Sequence, residues 1–386
     1  MSALKRDVFI LAGEASGDTK GAGLVEALGQ MAPEVRFWGV GSRRMRAAGV
    51  EIFCDSSQLA VNGFVEAIAH GRRIWYIYRR LRAALAERRP SLVVLIDFPD
   101  FNLFLARRVN RLGIPLLWYV SPQVWAWRRY RVRKLGRHVT RMMVIFPFEA
   151  PLYRDQGVEV DFVGHPLVDL AKPRLGRDET MRKLGLDPAR PLIGLLPGSR
   201  RSEITRIYPM LLSAAELMSK EKPDLQFATP VASTLDLETL AGFTRDANIR
   251  VALGEDLSYE IMAASDAAAV ATGTATLECA LQNTPHVMVY RLSPITYLLK
   301  PMVKLEHYCL VNVVANRGVV PELIQRSCTP EAVAARTLAL LGPEGEAQRQ
   351  GFAEVRARLG EGGASLRAAR VLLDMLEKTP DGGTTA

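Results

Sequence analysis

The stretch Leu92-Val93-Val94-Leu95-Ile96 runs directly into Asp97-Phe98-Pro99-Asp100-Phe101-Asn102. Five consecutive aliphatic residues without polar alternation fit a strand buried on both faces, as in a parallel sheet. The Asp/Pro stretch reads as a loop. Asp100 is placed there as the N-cap of a helix over 101–112. The same strand–loop–helix order recurs along the chain. Further strands are expected at 8–12, 35–40, 116–120, 142–146 and 161–163, then at 192–196, 226–229, 250–253, 267–271 and 287–290. Alternating strands and helices predict an α/β protein with parallel sheets covered on both faces.

Eleven strands would make one sheet unusually wide, and 386 residues accommodate two domains. Two doubly wound domains are therefore expected. The boundary falls in 164–177, which holds Pro166 and Pro173 and lacks periodicity. The expected division is 1–165, 178–340 and a helical segment 341–386 that crosses back to the first domain. Ligands of doubly wound sheets bind beyond the carboxyl ends of the strands, so the loops there are where chemistry is sought.

The net charge of +9 is uneven. Residues 1–165 hold 25 Lys/Arg against 15 Asp/Glu, or +10; residues 166–386 hold 25 against 26, or −1. The basic half suits a phosphate-bearing partner or a solvated surface. Two segments interleave arginine with aromatics. One runs over 72–82 and includes Trp75, Tyr76 and Tyr78; the other runs over 125–141 and includes Trp125, Trp127 and Tyr130. Such helices fit a membrane interface, a solvated face or nucleic acid. The sequence contains no apolar run of the ~20 residues needed to span a bilayer. It opens without a secretion signal, and its four cysteines lie far apart, so a reducing cytoplasm is expected.

The loops carry the chemistry. Gly13-Glu14-Ala15-Ser16-Gly17-Asp18 follows the first strand, and a helix beginning near Asp18 would offer its amides to an anion. Asp97 has no capping role to explain it and is the candidate general base. Ser121-Pro122-Gln123 precedes the two tryptophans. In the second half, Pro197-Gly198-Ser199-Arg200 could meet a phosphate with backbone amides and a guanidinium. Thr272-Gly273-Thr274-Ala275-Thr276 could do the same at a helix start. Glu278 lies one turn beyond Thr274, placed to accept ribose hydroxyls or to close a capping box. Asn312, Asn316, Glu322 and Gln325 form a polar string.

Together these loops resemble the lipid-A-disaccharide synthase family. The resemblance runs from about Val8 to Gln325. It rests on Gly-Glu-Ala-Ser-Gly-Asp at 13–18, Asp-x-Pro-Asp-Phe-Asn at 97–102, Ser-Pro-x-Val-Trp-Ala-Trp at 121–127 and Gly-His-Pro at 164–166. Leu-Pro-Gly-Ser-Arg at 196–200, Gly-Thr-Ala-x-Leu-Glu at 273–278 and Pro-Glu-Leu-Ile-Gln at 321–325 complete it. Each motif alone is weak; their order together is specific. Thr272 stands where the family has Ser.

The resemblance implies a GT-B fold, with two Rossmann-like domains facing a central cleft. It implies transfer of diacylglucosamine from UDP-diacylglucosamine to diacylglucosamine 1-phosphate, giving a β-1,6 disaccharide 1-phosphate and UDP in lipid A biosynthesis. Inversion at the sugar carbon requires one base, Asp97. Glu14, Ser16, Asn102, Ser121 and Gln123 are expected on the acceptor side. Ser199, Arg200, Gly273, Thr274, Glu278, Asn312, Glu322 and Gln325 are expected around UDP. No Asp-x-Asp motif occurs, so neither metal nor cofactor is expected. The expected partners are the two lipid substrates, an anionic inner-membrane surface met from its cytoplasmic side through 72–82 and 125–141, and a second copy in a homodimer, with no nucleic acid. Rival readings are another UDP-N-acetylglucosamine enzyme of the same fold, a 2-epimerase or a peptidoglycan transferase, or a basic membrane- or RNA-binding module.

Overall fold

A computed structural model describes residues 6–59, 71–127, 130–232, 237–291 and 306–378. Arg128 and Arg129 of the second basic segment lie outside these residues. The chain divides into two compact units: residues 1–166 with 361–386, and residues 167–360.

The first unit is built on seven parallel strands. They are β1 (Asp7–Ala12), β2 (Arg36–Gly41), β3 (Glu51–Asp55), β4 (Leu92–Ile96), β5 (Leu116–Tyr119), β6 (Arg141–Val144) and β7 (Glu159–Phe162). Their order is β3-β2-β1-β4-β5-β6-β7. All five residues of β4, and Val8 to Ala12 of β1, have no solvent exposure. Helices on both faces produce that burial, which is why these strands read as unbroken apolar runs.

The second unit holds β8 (Leu192–Leu196), β9 (Gln226–Val231), β10 (Val251–Glu255), β11 (Ala267–Ala271), β12 (His286–Tyr290) and β13 (Glu322–Ile324), in the order β10-β9-β8-β11-β12-β13. Every described pairing in both sheets is parallel.

Two strands exceed the eleven expected. β3 is an edge strand with acidic residues at both ends and only Cys54 buried. β13 is three residues long. Neither presents a long enough apolar run to be read as a strand.

Within 341–386, helix Pro343–Leu359 belongs to the second unit and helix Ala364–Lys378 to the first. The latter packs along helix Ala15–Gly29. It is pinned by Arg141, which bonds Asp161 from Nε at 2.6 Å and also pairs with Asp374. Arg141 was counted in the basic segment 125–141. At 9% exposure and committed to these carboxylates, it is a structural cation and not a surface one.

Candidate active site

In each sheet the strand order reverses at one place: between β1 and β4 in the first unit, and between β8 and β11 in the second. At such a switch point the loops leaving two adjacent strands diverge and open a crevice. The loops leaving these four strands are those that the sequence marks as chemical.

In the first unit, β4 is followed by Asp97 and Phe98, with φ of 49° and 45°. Two successive non-glycine residues in the left-handed region cost about 1–3 kcal/mol each. The surroundings hold them there. The amide of Asp97 donates to the Tyr119 carbonyl at 3.1 Å. Asn102, which is fully buried, donates from Nδ2 to the carbonyls of Asp97 at 2.7 Å and Ile96 at 3.3 Å. The Phe98 ring fills the space over Gly13. A Cβ on Gly13 would lie 2.3 Å from Phe98 Cγ, so only glycine allows this approach.

Two expectations change here. Asn102 was expected to touch the acceptor; its burial makes it the clamp on the Asp97 backbone instead. Asp100 was expected to cap the helix, but Pro99 is the first residue of helix Pro99–Arg111 and Phe98 occupies the cap. Asp100 sits in the first turn and pairs with Arg131.

The Asp97 carboxylate is partly exposed, at 31%, and lies 3.4 Å from Lys20 Nζ. Sequence reasoning missed Lys20. Helix Ala15–Gly29 begins three residues earlier than expected, with Glu14 at the cap. With that start, Ser16 and Lys20 share a face. Asp18 lies in the first turn of that helix and not at its start. Buried, its carboxylate accepts from the amides of Ser42 at 2.5 Å, Arg44 at 3.0 Å and Met45 at 3.4 Å, and so holds the start of helix Arg43–Ala47. His165, buried and 5.1 Å from the Phe146 ring, completes the cluster. Burial, and then the charge of Lys20, pushes its imidazole down to about 3, so it is neutral at physiological pH.

Ser121 is buried as well, sharing a 2.7 Å hydrogen bond with the Tyr153 hydroxyl and donating to the Pro122 carbonyl at 2.9 Å. Glu149 lies nearby, 1% exposed. It accepts from Trp125 Nε1 at 3.3 Å and from the Phe146 amide at 3.2 Å, and burial pushes it up to about 8. Glu14, Ser16 and Gln123 are exposed.

In the second unit, Leu196 at the end of β8 pairs with Val270 in β11. Just beyond these strands start helix Arg201–Glu221 and helix Thr274–Leu281. Two helix N-termini thus open side by side, each with unsatisfied amides and a partial positive charge. Gly198 has φ of 105°, and the Glu203 carboxylate lies 2.6 Å from where its Cβ would be. Arg200 is 74% exposed and 3.3 Å from Glu203. Gly273, with φ of 133°, occupies the cap of the second helix, and the Thr276 hydroxyl donates to its carbonyl at 2.8 Å. Burial pushes Glu278 up to about 7, partly offset by the Tyr259 hydroxyl at 3.4 Å.

Asn312 and Glu322 behave otherwise than expected. Asn312 is 1% exposed. Its Oδ1 accepts from the amides of Val319 and Val320, each at 2.8 Å, and its Nδ2 donates to the Val320 carbonyl and to Glu322. Glu322 also accepts from the amides of Tyr308 and Cys309 at about 3.0 Å. Both side chains are spent on tying helix Leu310–Ala315 to β13. Among the described residues no three His, Cys, Asp or Glu are grouped to hold a metal ion.

Two doubly wound parallel sheets, each with a single switch point, are the architecture of the GT-B class. Solved structures agree in fold. The calicheamicin glycosyltransferase CalG4 covers 98% of this chain and all of its own, at 17% identity and TM-score 0.63. The S. aureus MnaA–UDP co-structure covers 98% and 100%, at 13% identity and TM-score 0.65. The sequence model of a family described as lipid-A-disaccharide synthetase matches residues 8–369. The lipid-A-disaccharide synthase of Geobacter sulfurreducens is 45% identical over 374 residues, 96% of this chain and 97% of the relative. That of Myxococcus xanthus is 43% identical over 372 residues, 96% and 97%. The chain belongs to the lipid-A-disaccharide synthase family.

Proposed function

We propose that this protein transfers 2,3-diacylglucosamine from its UDP form to the 6-hydroxyl of 2,3-diacylglucosamine 1-phosphate, inverting the sugar carbon and releasing UDP. The observation that carries this reading is Asp97, held in a strained backbone at the first switch point with its carboxylate partly open to solvent. In the forward step the Asp97 carboxylate takes the proton of the attacking hydroxyl. Lys20 restrains that carboxylate, and neutral His165 leaves Lys20 as the nearby cation. Glu14, Ser16 and Gln123 line the acceptor side, while Ser121 holds the loop that presents Gln123. The leaving diphosphate is met by Arg200, Ser199 and the amides at Gly273 and Thr274. Glu278 accepts the ribose hydroxyls. Asn312 and Glu322 act by shaping the loop, and Gln325 borders it.

The test is mass spectrometry of products from purified protein, UDP-diacylglucosamine and diacylglucosamine 1-phosphate. A disaccharide 1-phosphate with stoichiometric UDP is expected. UDP release without acceptor, or epimerised donor, would instead favour a 2-epimerase-like reaction on the same fold.

The clamp role of Asn102 gives a further expectation. Asn102→Ala leaves two carbonyls under Asp97 without their donor, which costs about 1–3 kcal/mol of stability. It should lower kcat, because the base is displaced, with little change in acceptor KM. A raised KM at unchanged kcat would return Asn102 to the acceptor contacts.

The basic surface belongs to the same reading. Both substrates are anionic lipids, and the first unit carries the excess charge. No helix among the described residues is long and apolar enough to cross a membrane. We infer that the protein works from the cytoplasmic side of the inner membrane, docking through the exposed part of segment 72–82 and through Arg133, Lys134 and Arg137. Trp75 and Tyr76 are 59% and 61% exposed, a costly arrangement for two adjacent aromatics unless they meet an apolar phase.

A further inference from the structure

Helices Gly71–Arg88 and Pro99–Arg111 of the first unit bound a groove of about 570 Å³. Its apolar lining comes from Ile74, Trp75, Tyr78, Phe101 and Phe104. Trp75 stacks on Tyr78 at 5.4 Å, and Tyr78 meets Phe101 edge-on at 6.3 Å. Phe104 is 61% exposed. Four arginines join this lining: Arg82, Arg107, Arg108 and Arg111.

Among the described residues none of these four has a carboxylate within ion-pair distance, although other arginines of this unit do. Nε of Arg108 is buried without a hydrogen-bond partner. The neighbouring His138 imidazole is pushed down by burial, and then by Arg107, Arg137 and Arg111. A positive field therefore stands over an apolar floor, with no carboxylate among the described residues paired to these arginines.

We propose that this groove binds one anionic membrane lipid, with an acyl chain along the aromatic floor and the headgroup phosphate on the arginines. The chemistry calls for both parts. A bare phosphate would leave the aromatic floor wet, and a neutral lipid would leave four guanidiniums unpaired beside it. Arginine forks match phosphate oxygens and add charge-assisted hydrogen bonds. A 570 Å³ cavity lies within the usual range for a single bound small ligand. This inference rests on the membrane-docking reading and narrows it from a surface to one lipid-sized site. The site also adjoins the catalytic loop, since Phe101 lies 5.8 Å from Phe98, the residue after Asp97.

The test uses the full chain and a short-chain lipid below its micellar concentration. Calorimetry with dihexanoyl phosphatidic acid should show saturable 1:1 binding. Inorganic phosphate and dihexanoylglycerol should each bind about ten-fold more weakly or worse. The double variant Arg107→Ser/Arg111→Ser, altered only at exposed positions, should lose phosphatidic acid binding by a similar factor, with an unchanged unfolding temperature. Trp75 emission should shift on binding in the wild type. Equal binding of phosphate alone, or of the neutral lipid, overturns the proposal. So does full affinity in the double variant. So does no binding at all. Co-sedimentation with anionic vesicles separates the two readings. Vesicle binding without phosphatidic acid binding removes the groove site and keeps the membrane contact; loss of both removes both.

Discussion

Asp97→Asn is expected to lower kcat by about 10²–10⁴ while UDP affinity stays within a few-fold. The substitution keeps the size and shape of the side chain, and its Oδ1 can still accept from Lys20, so the left-handed backbone and the Asn102 clamp persist. What disappears is the ability to take a proton. A base acts only as the hydroxyl attacks, so its loss falls on kcat and not on ground-state binding. Asp100→Asn is the matched control. Asp100 is 71% exposed and paired with Arg131 on the helix flank, so its replacement should change kcat by no more than a few-fold. Steady-state kinetics with UDP titrations on both variants decides the matter. If Asp97→Asn turns over at near wild-type rate, the proton goes elsewhere and the reading of the first switch point fails.

Most strands were legible because a parallel sheet covered on both faces leaves an unbroken apolar run, as in Leu92–Ile96 and Ala267–Ala271. The two overlooked strands are those that such burial does not define. β3 lies at the sheet edge and is half-wet, and β13 is fixed by pairing with β12 and by what Glu322 captures. Helix starts were misread where tertiary contacts override local chemistry. Gly17 and Asp18 look like a turn, yet a Cβ on Gly17 would sit 3.2 Å from Ala12, and Asp18 answers amides 24 to 27 residues away. At Asp100 the signal was present but outweighed: proline favours the first helical position, and that places the helix start at Pro99.

The candidate site was legible as motifs, and less so as roles. Residue types marked Asp97, Arg200 and Glu278 as groups worth placing at a ligand. The same reasoning could not separate side chains that face solvent from those that hold the loops. Asn102, Ser121 and Glu322 lie within motifs and Asn312 in the polar string before the last of them, yet each is committed to internal hydrogen bonds. Lys20 was hidden by the misplaced helix start. Glu149 is brought to Trp125 only by the fold, 24 residues on.

Arg200→Ala and Glu278→Gln should each weaken UDP binding by about 1.5–3 kcal/mol, or roughly ten- to a hundred-fold, the usual loss of one hydrogen bond to a charged group. The two differ in their dependence on pH. A guanidinium keeps its charge at any working pH, so the deficit of Arg200→Ala should not follow a side-chain titration. Glu278 has its carboxyl pushed up to about 7 by burial, and only its ionised form accepts from both ribose hydroxyls. Wild-type UDP affinity should therefore rise between pH 6 and 8, and this rise should vanish in Glu278→Gln. Stability should move the other way. A carboxyl raised above its ordinary value in the fold stabilises it below about 4.5 relative to higher pH. That contribution is lost as pH climbs through about 7, because the buried group must then ionise. Glu278→Gln should accordingly gain unfolding temperature over wild type at pH 8 and show little gain at pH 4. Calorimetric UDP titrations and thermal melts at the two ends of this range test both halves on one pair of proteins. Unchanged UDP affinity in both variants would put the nucleotide away from the second switch point. A pH-independent deficit in Glu278→Gln would mean that its carboxylate shapes the helix start without touching the ribose.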